Sequence, residues 1–154
     1  MGAFRGDALR GADHARVQHL GQTNVEREDV GALLAAETGS ESGADLARLI
    51  AALPPGTMLV ALNPGNLIIN GFAPLDSIAA LATEIAYVRA KDGVRDLAQG
   101  RGVEVALGRG AADFPALIGA LEERSYRGVW CVERERCDDP LKEIGDAVSY
   151  LRNI

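Results

Sequence analysis

Between residues 31 and 152 the chain keeps returning to one pattern: a short apolar run, a polar turn, then an amphipathic segment with helical spacing. Short apolar runs without polar alternation suit strands buried on both faces. Helices between such strands demand parallel pairing through right-handed crossovers. Gly31–Ala36 predicts a first strand, and Ala44–Leu53 a helix with Leu46, Leu49, Ile50 and Leu53 on one face. Pro54-Pro55-Gly56 stops that helix, Thr57–Leu62 predicts a second strand, and Asn63-Pro64-Gly65-Asn66 reads as a loop. A helix over Asp76–Thr83 follows Pro74, and Ile85–Ala90 predicts a third strand that ends in a polar turn, Lys91-Asp92-Gly93. A Gly-rich connection from Asp96 to Gly110 leads to a helix over Phe114–Arg124, with Phe114, Leu117, Ile118 and Leu121 in register. Gly128–Val132 is the last strand. Asp139-Pro140 pairs an N-cap acid with a first-turn proline and opens a helix to about Arg152 that buries Leu141, Ile144, Val148 and Leu151. The fold class is α/β, with roughly four βα units in residues 31–154. Residues 1–30 form a polar extension with a weak helical pattern around Asp7–Leu20.

A chain of 154 residues fits one domain and can bury a core. Its net charge of −6 argues against nonspecific binding to nucleic acid or an anionic membrane. No apolar run approaches the ~20 residues that span a bilayer, and the N-terminus carries no signal-peptide core, so a cytoplasmic protein is expected. Cys131 lies inside an apolar run and reads as a small buried thiol; with Cys137 the only other cysteine, no disulfide scaffold is indicated. His14 and His19 do not share a helix face and read as solvent-exposed, with no catalytic role.

Two of the apolar runs end in a glutamate: Glu37 in AAETGSES and Glu133 in GVWCVERE. In parallel α/β folds the C-terminal ends of the strands carry the chemistry, so the two carboxylates are candidates to hold a divalent cation or to move protons on a substrate carbon. From the residues alone, other roles stay open. Glu37 also suits a helix N-terminus, and Glu133, among Arg134, Glu135 and Arg136, also suits a solvated charge run. Asn63 and Asn66 flank Pro-Gly and also suit a turn; Lys91 and Asp92 suit either contact with a phosphate or hydroxyl, or a surface turn. The Gly-rich tract over Gly100–Gly110 has neither P-loop spacing nor a following Lys-Ser/Thr, so it is not read as a nucleotide site.

Taken in order, AAETGSES, LNPGNLI, VRAKDGV and LGRGAADFPALIGALEERSYRGVWCVERE resemble the C-terminal half of the xylose-isomerase-like sugar phosphate isomerase/epimerase family, over about residues 31–152. The resemblance implies a partial (β/α)8 TIM barrel whose four units correspond to strands five to eight. It also implies a divalent metal (Mn, Mg or Co) at the mouth, held by a glutamate, an aspartate, a histidine and a glutamate, with the glutamates exchanging the substrate's proton. Glu37 and Glu133 match the two glutamates. The aspartate falls on Asn63 and the histidine on Arg89, and a GEGDVDF-like segment appears as GRGAADF, where Arg109 and Ala111 replace acids. Asn66, Arg89, Lys91, Asp92 and Arg109 are the candidate substrate-binding residues, and Asn63 joins Glu37 and Glu133 as a candidate metal ligand.

An asparagine oxygen can still ligate a hard cation, less tightly than a carboxylate, but an arginine is always protonated and has no lone pair to offer. At ~4 Å and an effective dielectric of ~20, two unit charges interact by ~4 kcal/mol, so Arg89 repels a divalent ion and attracts both glutamates. The expectation is that its guanidinium replaces the metal as their counter-charge; an outward-turned Arg89 would leave room for the ion. Two functions follow: a metal-assisted sugar or sugar-phosphate isomerase/epimerase, its site degenerate, or a non-catalytic descendant that binds an anionic sugar or polyol or serves as an assembly subunit. Four parallel strands also leave two open edges and an uncovered inner face. A homodimer, a partner chain supplying the other half barrel, or a truncated remnant are the three readings of that gap.

Overall fold

The structure, a computed structural model, describes residues 33–96 and 101–154. The expected N-terminal helical extension, both histidines and the start of the Gly31–Ala36 strand lie outside the described residues. In chain order the elements are β1 (Ala35–Glu37), α1 (Gly43–Ala51), β2 (Leu59–Leu62), α2 (Pro64–Ile69), α3 (Pro74–Leu81), β3 (Ile85–Ala90), β4 (Asp92–Asp96), β5 (Arg101–Val105), α4 (Phe114–Glu122), β6 (Val129–Val132) and α5 (Pro140–Arg152).

Strands β1, β2, β3 and β6 form a parallel sheet in that order, as four βα units require. Alternate side chains separate its two faces. Val60, Leu62, Val88 and Ala90 are fully buried in one core with Leu46, Ile78, Leu81, Phe114, Leu117 and Leu121 from the helices. On the opposite face Leu59 and Tyr87 are half-buried, Val129 is 45% exposed and Cys131 is exposed. Cys131 is therefore not the buried thiol expected: its strand is an edge strand, and its side chain shares the uncovered face with Arg89, its register partner. Leu49 and Leu141, expected in helix cores, are 53% and 90% exposed, because the buried faces of α1 and α5 are narrower than the apolar spacing suggests and centre on Leu46 and Ala147.

Two further corrections concern local structure. Asn63-Pro64-Gly65-Asn66 is not a loop but the start of α2, where Asn63 caps the helix through the Asn66 amide and Pro64 takes the first turn. The polar turn at Lys91-Asp92-Gly93 and the connection after Asp96 are an antiparallel hairpin, β4 with β5, in which Val94 pairs with Val103. The hairpin packs on α2, and added Cβ atoms at Gly93 or Gly102 would lie 2.8 and 2.6 Å from Ile69.

Asp92 explains why this hairpin stays in place. Its carboxylate is buried and accepts four backbone hydrogen bonds: from Gly93 and Ala112 at Oδ1 (2.8 and 3.0 Å), and from Gly108 and Gly110 at Oδ2 (3.0 and 2.8 Å). Asp92, a candidate substrate contact from the sequence, thus has both oxygens occupied by backbone amides and sealed from solvent. Asp92→Ala leaves four amides without their acceptor, those of Gly93 and Ala112 buried, and should cost on the order of 3 kcal/mol in urea unfolding, far more than a surface change.

Candidate functional site

The C-terminal ends of β1, β2, β3 and β6 lie along one rim, and backbone pairing continues past the ends of β1 and β6. Thr38 N–H donates to the Ala61 carbonyl at 3.1 Å, and Glu133 N–H donates to the Ala90 carbonyl at 3.1 Å. Buried Thr38 ties β1 to β2, its hydroxyl accepting from Asn63 N–H at 2.9 Å. Gly39 follows with φ +150°, and a Cβ there would lie 2.7 Å from the Asn66 Cβ. A side chain at residue 39 would push the loop off α2 and the rim would widen.

The rim gathers Glu37, Asn63, Asn66, Arg89 and Glu133 into one cluster. Arg89 bridges the carboxylates: its Nη1 binds Glu37 Oε2, and its Nε lies 2.8 Å from Glu133 Oε2. Asn63 Nδ2 donates to Glu37 Oε1 at 2.7 Å and to Glu133 Oε2 at 3.2 Å, while Asn66 Nδ2 donates to Glu37 Oε1 at 2.9 Å. Burial pushes the Glu133 carboxyl above its ordinary range, although the Arg89 and Lys91 charges pull the other way. Burial also pulls the Arg89 guanidinium down, but the charges of Glu37 and Glu133 outweigh it, so Arg89 is held more firmly protonated than usual.

A second ion pair stands beside the first. Lys91 is buried, and its Nζ lies 2.6 Å from Glu135 Oε1. Behind it, Arg134 is clamped between Glu104 at 3.2 Å and Glu143 at 2.7 Å, joining the hairpin and α5 to the segment that carries Glu133 and Glu135. A cavity of about 400 Å³ opens over the cluster, lined by Glu37, Asn66, Asn70, Arg89, Glu133 and Glu135 and by the Thr38–Ser40 loop. Lys91 and Asp92 do not line it, and neither does Arg109, which is exposed on the turn after the hairpin. Glu135 and Asn70 were missed from the sequence. The signal for Glu135 was present: in an extended segment it lies two residues from Glu133 and so on the same side.

The donor set does not fit a divalent cation. Both oxygens of Glu37 already accept from N–H donors, Arg89 cannot ligate, and Asn63 uses its carbonyl oxygen to cap α2 while turning Nδ2 to the carboxylates. Among the described residues no group of three or more His, Cys, Asp or Glu side chains is placed to hold a metal. Asn63, a candidate ligand by resemblance, turns the donor side of its amide to the cluster and its oxygen to the Asn66 N–H.

The Lys91 pair makes acid sensitivity predictable. Its hydrogen bond first, and its charge second, hold the Glu135 carboxyl below the usual range. A carboxyl depressed on folding adds stability above its unfolded pKa, ~4.3, that is lost as the pH falls through the folded value. Glu133 has the opposite sign, since acid relieves its burial cost. Glu135→Gln should lower Tm at pH 7 and flatten the fall in Tm below about pH 4.3, read by circular dichroism melts across pH.

Comparison with known proteins agrees with the fold. The family described as "Xylose isomerase-like TIM barrel" matches residues 25–154. Among solved structures, a xylose isomerase domain protein from Planctomyces limnophilus aligns with TM-score 0.72 and 24% identity over 96% of this chain and 50% of its own. The 3-keto-D-glucoside 4-epimerase YcjR from E. coli aligns with TM-score 0.61 and 18% identity over 96% of this chain and 52% of its own. A xylose isomerase-like TIM barrel protein from Mycobacterium smegmatis, in complex with magnesium, aligns with TM-score 0.63 and 21% identity over 99% and 52%. A comparison with curated proteins found no match. The chain thus spans about half the length of these barrels, and it belongs to the xylose isomerase-like TIM barrel family.

Proposed function

We propose that this protein binds a neutral sugar or polyol at the mouth of its half barrel. One observation carries the reading: the cavity of about 400 Å³ is lined by three carboxylates and two amides, and its single cation, Arg89, is already paired with two of the carboxylates. Such a site offers many acceptors to sugar hydroxyls, in a volume typical of small-ligand pockets. It repels phosphates and sugar acids, because Lys91 is spent on Glu135 and Arg109 lies elsewhere. The anionic ligand expected from Arg89 and Arg109 therefore gives way to the neutral one. A kinship with sugar epimerases supports the ligand class.

A second reading has its own support. Glu133, whose carboxyl is pushed upward by burial, is the group best suited to take and return a proton on a ligand carbon, opposite Glu37. Isomerase or epimerase chemistry would then show as exchange of a sugar C–H for deuterium in heavy water, followed by NMR.

The sheet edges and inner face that the described residues leave open support a further part of the reading. A second copy would add four parallel strands and close an eight-stranded barrel, with two rims facing one another. Light scattering on the eluting protein should then give twice 16.2 kDa, and Val129→Asp on the inner face should return it to 16.2 kDa. A monomeric wild type contradicts that part alone.

Calorimetric titration tests the main reading. Neutral ketoses or polyols should bind with chelator present, their phosphate esters at least tenfold more weakly, and Glu135→Ala should cost about tenfold in affinity. Equal or tighter binding of the phosphate esters would overturn it.

A further inference from the structure

We infer that Arg89 is a built-in replacement for a divalent ion: its guanidinium joins Glu37 to Glu133, keeps a metal from the rim, and presents its remaining N–H donors to a ligand oxygen. The first part stands on geometry alone. Two strand-end carboxylates meet at one rim and share the Asn63 amide, 2.7 Å from one and 3.2 Å from the other. Carboxylates this close repel unless a cation lies between them, and Arg89 occupies that place with a different nitrogen for each. Its anchoring is specific: Arg89 leaves β3 opposite Cys131, with its side chain only 33% exposed, and Glu133 is 14% exposed. Lysine could not reproduce the arrangement, because one ammonium lacks two divergent donors in a fixed plane.

The neutral partners fit the same scheme. Asn63 and Asn66 both direct Nδ2 toward carboxylate oxygens, the orientation a cluster of acceptors around an internal cation requires. A metal at that point would meet one positive charge and two amide hydrogens instead of lone pairs. Arg89 also lines the cavity, so the N–H groups not used on the glutamates are available to a carbonyl or hydroxyl oxygen of a bound sugar. This last part rests on the proposed sugar site; the counter-charge does not.

The test is a thermal melt series with and without Mn²⁺, together with sugar titrations. Wild-type Tm should be unmoved by millimolar Mn²⁺ or by chelator. Arg89→Met should lower Tm by roughly 4–8 °C and acquire stabilisation by Mn²⁺, as the freed carboxylates take the ion. Glu37→Gln/Arg89→Met should recover most of the lost Tm and lose the Mn²⁺ response. If Arg89→Met fails to fold, Arg89→Lys serves instead: it keeps the charge, loses the bridge, and should melt below wild type. A wild-type protein stabilised by Mn²⁺ through Glu37, or an Arg89→Met protein as stable as wild type, overturns the inference. A failure of sugars to bind any variant, with the melts as expected, overturns only the sugar reading and the donor role that rests on it.

Discussion

The contact on which the rim depends is the bridge from Arg89 to Glu37 and Glu133. Strand ends in a parallel sheet converge, and side chains that follow those strands are forced into a small volume whatever their charge. Two carboxylates there are costly without a cation, because one charge raises the cost of ionising the other. The guanidinium resolves the conflict with two directed bonds rather than one. It also ties β1 to β6, the two edges of the sheet, through β3 at its centre. The site is therefore a structural brace as well as a pocket floor.

The pieces around the bridge serve to hold it in position. Thr38 and the Asn63 cap register β1 against β2 and start α2 at the right height, which aims Asn66 at Glu37. Asp92 gathers four amides and pins the hairpin whose Glu104 meets Arg134, the neighbour of Glu133. Buried Lys91 needs an acceptor, and Glu135 supplies it. A buried ammonium left unpaired is strongly unfavourable, so this pair fixes the segment carrying both Glu133 and Glu135. Charge compensation thus repeats at three neighbouring places, each linking a strand end to a different element.

Much of this was legible in the residues, and the failures have physical causes. Ile85–Ala90 reads as a strand from its apolar run and is one, and the four βα units follow from periodicity. Glu37 and Glu133 read as strand-end carboxylates from the residues, Asn63 and Arg89 joined them through the family resemblance, Asn66 stood as a loop residue and candidate substrate contact, and the fold brings all five together. The helix at Pro64–Ile69 was hidden because Asn-Pro-Gly-Asn is as good a turn as it is an N-cap followed by a first-turn proline. The hairpin was hidden by glycines, which here mark close backbone approach to Ile69 rather than an unstructured connection. Nor does spacing disclose that Lys91 and Asp92, adjacent in the chain and both buried, turn to different partners. That outcome depends on the hairpin's geometry, which the linear pattern does not carry. Exposure of Cys131 follows from its place on an edge strand, a fact of topology.

The most direct test is the metal content of the protein after incubation with excess Mn²⁺ and gel filtration, measured by elemental analysis. The bridge predicts far less than one ion per chain, with both glutamates still paired to Arg89. One ion per chain, lost on Glu37→Gln, would mean that Arg89 swings away in solution and that the carboxylates serve a metal after all.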